Sequence, residues 1–235
     1  MRTGKELAWP DALIAFALAV LGSLVVIAGL RLRWISPVAA NYIAHAWLAA
    51  IALSWFLLLR RRFPIGRFNR NMRPWYVVAL VLIALNVVGV VASLPPRLHL
   101  PGLPTLIAQL VFLAFIVGPT EELLFRGLIQ TALNGPHAAL PLRGRRNGAG
   151  RGDGWRVQRG TVIGALLFGL YHLINRGYQS LGSTVQQVLT ASVIGLVFGV
   201  LYDRTRNLVG ASLAHSVADF SGTAIPLLAY FVANR

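Results

Sequence analysis

Residues 117–130 read VGPTEELLFRGLIQ, and they lie inside an apolar run that extends from Leu103 to Leu133. A run of that length can cross a membrane, which needs about 20 apolar residues. Yet it holds two adjacent glutamates and an arginine. A charged side chain at mid-span costs about 2.5–3.5 kcal/mol, so three facing lipid would cost roughly 7–10 kcal/mol. A stable protein must therefore turn Glu121, Glu122 and Arg126 inward, against partners or water, and the fold this asks for is a bundle of several helices.

The remainder of the chain agrees. It has 235 residues, 56% of them hydrophobic, with a mean hydropathy of +0.65, which suits a polytopic membrane protein. Apolar runs cover about 12–30, 38–59, 75–94, 103–133, a segment from 161 through His172, 185–202, and a segment from 208 through His215 and Asp219. The expected fold is all-α, a polytopic membrane helix bundle of seven spans with an intramembrane polar cavity. The tail GTAIPLLAYFVANR reads as a possible short eighth helix. Gly118-Pro119 should break the helical ladder just before Glu121. The length suits one bundle, so 1–235 reads as a single transmembrane domain with 104–220 as its motif-bearing core.

The formal charge of +15 would suggest nucleic acid in a soluble protein. Here the arginines gather in short loops between apolar runs, so the partner they indicate is the lipid bilayer, not nucleic acid. Loops 60–73 and 135–160 carry six arginines each. By the positive-inside rule both face the cytoplasm, and alternate counting puts the N-terminus on the same side. The chain reads as a multi-pass protein of a bacterial cytoplasmic membrane. With no cysteine, it has neither a disulfide nor a thiolate nucleophile.

Of seven acidic residues, Glu121, Glu122 and Asp219 fall in apolar segments; Asp11 and Asp203 read as terminal or loop residues. Glu122 and Arg126 stand at i and i+4, the favourable order for an ion pair on one helical face. Glu121 points about 100° away and has no partner on its own helix, which leaves it free for chemistry. Phe168 and His172 share a face at i and i+4, as do His215 and Asp219. At 1.5 Å per residue, Glu121, His172 and His215 lie about 20, 18 and 12 Å from the cytoplasmic helix ends, so they can meet at one level. His45, His99 and His137 show no comparable partners and are assigned no role.

These residues resemble the CPBP (also Abi) intramembrane proteases, which include CAAX prenyl endopeptidases and bacteriocin-processing enzymes. The family's E-E-x-x-x-R corresponds to Glu121, Glu122 and Arg126, its F-x-x-x-H to Phe168 and His172, and its H-x-x-x-N/D to His215 and Asp219. The resemblance covers about 104–220. It implies an endopeptidase that hydrolyses a peptide bond of a membrane-associated protein or peptide. Glu121 would activate water, aided by His172. Glu122, held by Arg126, would position the site. His215, oriented by Asp219, would polarise the scissile carbonyl.

No cofactor is favoured. Zinc is the alternative, with His172, His215 and Asp219 as ligands, although the H-E-x-x-H helix of many zinc peptidases is missing. Two other readings discard the activity: a non-catalytic member of the same fold, such as an immunity or scaffold protein, and a transporter or channel that uses the buried carboxylates for protons or cations.

The assigned orientation has a direct test. Single cysteines introduced at Asn69 and Asn147 should escape an impermeant thiol reagent in intact, right-side-out cells; labelling of either overturns it.

Overall fold

The computed structural model describes residues 7–58, 72–93, 102–135 and 157–233, which are helical almost throughout and contain no strand. Helix α1 is Trp9–Arg31, α2 Pro37–Leu58 and α3 Arg73–Ser93. The long α4 runs over Leu103–Asn134. Helix α5, Arg159–Tyr171, continues as a 3-10 turn over His172–Gly177; α6 is Leu181–Thr205 and α7 Leu208–Ala233. Most of both arginine-rich loops, with His99 and His137, lies outside the described residues.

Polarity is inverted relative to a water-soluble bundle. Glu122, Arg126, Gln130 and Asn207 are buried, while Val25, Leu57, Leu80, Val88 and Val91 face outward. Hydrocarbon, not water, is the solvent that stabilises such an exterior. Among the described residues five helices, α1, α2, α3, α4 and α6, are long and apolar enough to cross a membrane. The protein is an integral, multi-pass membrane protein.

Helix α4 is the centre of the bundle. Its second half buries Leu124, Phe125, Leu128, Ile129 and Ala132 against α1, α2 and α5. Helix α1 meets it with Ala12, Ala15 and Ala19, all fully buried; spaced at helical intervals, these small residues let the two backbones approach. A second core joins Trp75 of α3, Phe198 and Tyr202 of α6, and Leu208, Ala211 and Ala214 of α7.

The regular ladder is interrupted around Gly118-Pro119, although the helix continues, and three other expectations change. Leu113–Val117 and Leu123–Gln130 wind as π-helix on either side of a short α-helical segment, Gly118–Glu122. The wider turns absorb the missing proline N–H. The Thr120 hydroxyl lies 2.8 Å from the Ile116 carbonyl and 3.1 Å from that of Val117, so it donates to the turn that Pro119 disturbs. The tail is not a separate helix, because α7 continues through Pro226, as membrane helices tolerate where neighbours satisfy the freed groups. Helix α5 has only 13 residues, about 20 Å, too short to cross by itself; it stops because the polar turn His172–Gly177 follows. Asp203 is no loop residue. In the last turn of α6 it accepts from Gln130 Nε2 (2.9 Å), Asn134 Nδ2 (3.1 Å) and the Thr161 hydroxyl, tying α4, α5 and α6 at one end of the bundle.

One glycine sets the spacing of α4 and α7. A Cβ on Gly118 would stand 2.5 Å from Ser216 Oγ and 2.6 Å from the Ser212 carbonyl oxygen, so only glycine permits this approach. Gly118→Ala should lower the thermal unfolding midpoint in detergent by an amount equivalent to about 1–3 kcal/mol. Gly89→Ala, whose Cβ meets nothing within 4 Å, should leave it unchanged.

Candidate active site

Helices α2, α5, α6 and α7 all contribute contacts to the charged side chains of the central segment. Glu122 is fully buried and lies between Arg126 and His215. Arg126 Nε is 3.2 Å from its Oε2, and His215 Nδ1 is 2.9 Å from its Oε1. The first contact is the pair expected one turn apart on α4; the second reaches across to α7. The Arg126 guanidinium also sits 4.6 Å over the Phe168 ring, a cation–π contact strengthened by desolvation. Its Nη2 points to the Gly195 carbonyl at 3.4 Å, and one turn on Gln130 Nε2 donates to the Gly199 carbonyl at 2.9 Å. At Gly199 the missing Cβ leaves room for Gln130, whose Oε1 would stand 2.9 Å from one.

Glu121 is 5% exposed and is not without partners. Its Oε1 lies 3.3 Å from His45 Nε2 on α2, and its Oε2 lies 3.7 Å from His215 Nε2. Oε2 is buried and has no hydrogen-bond partner among the described residues. The His45 contact is the feature that sequence reasoning missed. A signal existed: His45 is an ionisable residue inside an apolar run, as His172 and His215 are, and such residues are functional candidates by default. Its partner is on another helix, which spacing along α2 cannot reveal.

His172 ends α5, where the helix tightens. Its Nδ1 lies 2.9 Å from the Phe168 carbonyl. A carbonyl only accepts, so Nδ1 carries a hydrogen, and Nε2 is the ring nitrogen left for other partners. His172 makes no described contact with Glu121, but the two line one cavity of about 600 Å3 together with His45, His215 and Asp219. A neighbouring cavity of about 630 Å3 joins His172, His215 and Asp219 to Gln179, Ser180 and Ser183 at the start of α6. Asp219 approaches His215 Nε2 at 3.5 Å, a longer contact than the one from Glu122. The ring's nearer orienting partner is therefore Glu122.

Phe168 is the common neighbour. Its ring packs edge-on against His172 (5.1 Å), His215 (5.8 Å) and Phe125 (5.0 Å) while lying under Arg126. The F-x-x-x-H spacing thus places an apolar hub and a histidine on one face.

The zinc alternative needs His172, His215 and Asp219 to converge. Among the described residues no three His, Asp or Glu side chains stand as a metal's ligand set. His215 Nδ1 is engaged by Glu122, and the Arg126 cation already serves the glutamates. The side chains as placed do not fit a zinc site.

The family model for type II CAAX prenyl endopeptidases, Rce1-like, matches residues 103–221, just over half of the chain. The chain belongs to the Rce1-like type II CAAX prenyl endopeptidase family. No curated protein and no solved structure gives a significant match. The Rce1-like segment contains Glu121, Glu122, Arg126, Phe168, His172, His215 and Asp219, whereas α1, α2 and α3 lie outside it.

Arg126→Ala strands Glu122 in a dry interior and should destabilise the protein by about 3–5 kcal/mol. Arg126→Lys keeps the charge but loses the planar stack on Phe168, so its loss should be smaller. Thermal unfolding of the purified variants in one detergent measures both.

Proposed function

We propose that this member of the Rce1-like family is an intramembrane endopeptidase in which Glu121 activates water against a peptide bond of a membrane-associated substrate. The observation that carries the reading is the state of the Glu121 carboxylate. Oε1 is engaged by His45, while Oε2 is buried, has no hydrogen-bond partner among the described residues and faces the histidines.

Water held between Glu121 Oε2 and the Nε2 lone pair of His172 loses a proton to Glu121 as its oxygen attacks the scissile carbonyl carbon. Negative charge collects on the carbonyl oxygen, where His215 Nε2–H donates to it. Glu122 accepts from the opposite nitrogen of that ring and so holds the donor in place, in the manner of orienter–histidine pairs. Asp219, an acceptor when ionised, favours the proton on Nε2. When the tetrahedral species collapses, the C–N bond breaks and Glu121 returns its proton to the departing nitrogen. The products are an acid and an amine, and Glu121 is an ionised carboxylate again.

With the arginine-rich loops cytoplasmic, α5 enters from that side and ends at His172, about 20 Å into the bundle. Gln179, Ser180 and Ser183 then give water a polar route from the other side. The description of the family points to prenylated CAAX peptides as the first substrates to try.

Glu121→Gln keeps the shape of the side chain but cannot take a proton from water. It should reduce cleavage of an internally quenched, farnesylated CAAX peptide by at least about a hundredfold while leaving thermal unfolding within a few degrees of the parent. A Gln variant that cleaves at the parental rate removes Glu121 from this role. Exhaustive chelation should leave the parental rate unchanged; loss on chelation and return with zinc would replace the metal-free scheme by a zinc one.

A further inference from the structure

His45 lies on α2, outside the family-matched residues 103–221. Its ring is fixed on three sides. Nδ1 is 2.9 Å from the Asn41 carbonyl oxygen, one turn earlier. The ring meets Phe112 of α4 edge-on, with centroids 4.9 Å apart and planes at 90°. Nε2 is 3.3 Å from Glu121 Oε1.

The protons follow from the first contact. A carbonyl oxygen only accepts, so Nδ1 carries a hydrogen. In a neutral ring that leaves a lone pair on Nε2, facing a carboxylate oxygen that also only accepts when ionised. The two hold together when one further proton lies between them, as imidazolium with carboxylate or as imidazole with carboxylic acid. The charges around the pair require the same. Among the described residues, Glu121 and Glu122 of α4 and Asp219 of α7 face one fixed cation, Arg126, so carboxylates outnumber cations around Glu121. A proton on the His45–Glu121 pair and one on His215 offset that excess. His172, at the end of α5, lines the same cavity, with its Nδ1–H donated to the Phe168 carbonyl.

We propose that His45 is a positioning residue of the peptidase site, holding Glu121 Oε1 through a shared proton so that Oε2 alone is presented to His172, His215 and the cavity. The proposal rests on the reading of Glu121 as the base and extends the site to a helix that the family match does not reach. It also gives α2 a task beyond packing. A carboxylate clamped at one oxygen receives the proton of water on the other, on the side from which the departing nitrogen must recover it.

Three full-length variants in detergent test this: His45→Leu, His45→Gln and Glu121→Gln. The glutamine amide places an N–H where Nε2–H stood. Rates are read with the quenched farnesylated peptide, unfolding by heat, and the ring nitrogens by 15N resonance of histidine-labelled protein, with the His45 signals assigned by their loss in His45→Gln. His45→Leu should lower kcat by about thirtyfold and leave KM within about twofold of the parent, while His45→Gln retains most of the parental kcat. Glu121→Gln should shift the His45 nitrogen signals. Parental kcat in His45→Leu, beside an inactive Glu121→Gln, overturns the role of His45 and leaves the peptidase reading standing. Equal loss in the Leu and Gln variants with a lowered unfolding midpoint overturns it in favour of a packing role. His45 signals that ignore Glu121→Gln overturn the contact itself, whether or not the peptide is cleaved. An active Glu121→Gln variant removes the base, and with it this role for His45.

Discussion

The structure depends on one constraint: Glu121, Glu122 and Arg126 lie in an apolar interior and must be neutralised there. Arg126 answers Glu122 from one turn away at 3.2 Å, but the second carboxylate and Asp219 leave the local charge unbalanced. Histidines from α2 and α7 meet these carboxylates, His45 at Glu121 and His215 at both glutamates. A buried ion pair is weak evidence for stability in itself, because desolvation offsets much of the attraction. Its retention in a lipid-facing fold points to chemistry, since a hydrophobic replacement would hold the helices at least as well.

That chemistry is carried on packed helices, not on loops. Ala12, Ala15 and Ala19 bring α1 against the second half of α4. Asp203, Thr161, Gln130 and Asn134 tie α4, α5 and α6 near one end. Gly118 brings α4 against α7 with no room for a side chain, three residues before Glu121 and opposite Ser212 and Ser216, which flank His215. The π-helical turns on either side of Glu121 and Glu122 belong to the same arrangement. Such turns recur at functional sites, and here they flank the α-helical segment that carries both carboxylates.

Membership of the Rce1-like family covers α4, α5, α6 and the first part of α7. The three motifs meet within that segment, and Phe168 is the ring they share. The contribution of α2 comes from outside it. Asn41 and Phe112 hold the His45 ring, and its remaining nitrogen meets the only Glu121 oxygen that the proposed chemistry does not use.

How much of this was legible in advance follows from the range of each interaction. The apolar runs show in the sequence, because hydrophobicity and length decide which segments lipid accepts. The Glu122–Arg126 and His215–Asp219 neighbours show too, because residues four apart share a face of any helix. Contacts between helices do not show. His45 looked solitary because its partner lies 76 residues away on α4, and Asp203 looked like a loop carboxylate because its donors belong to α4 and α5. The termination of α5 at His172, the continuation of α7 through Pro226 and the π-helical turns around Pro119 each depend on what neighbouring helices supply to freed backbone groups. The sequence by itself determined an all-helical membrane protein and the pairs one turn apart. Only the tertiary structure decided which helices supply the partners of Glu121, because those distances are set by packing between backbones, as at Gly118, and by the need for charges on separate helices to offset one another inside an apolar bundle.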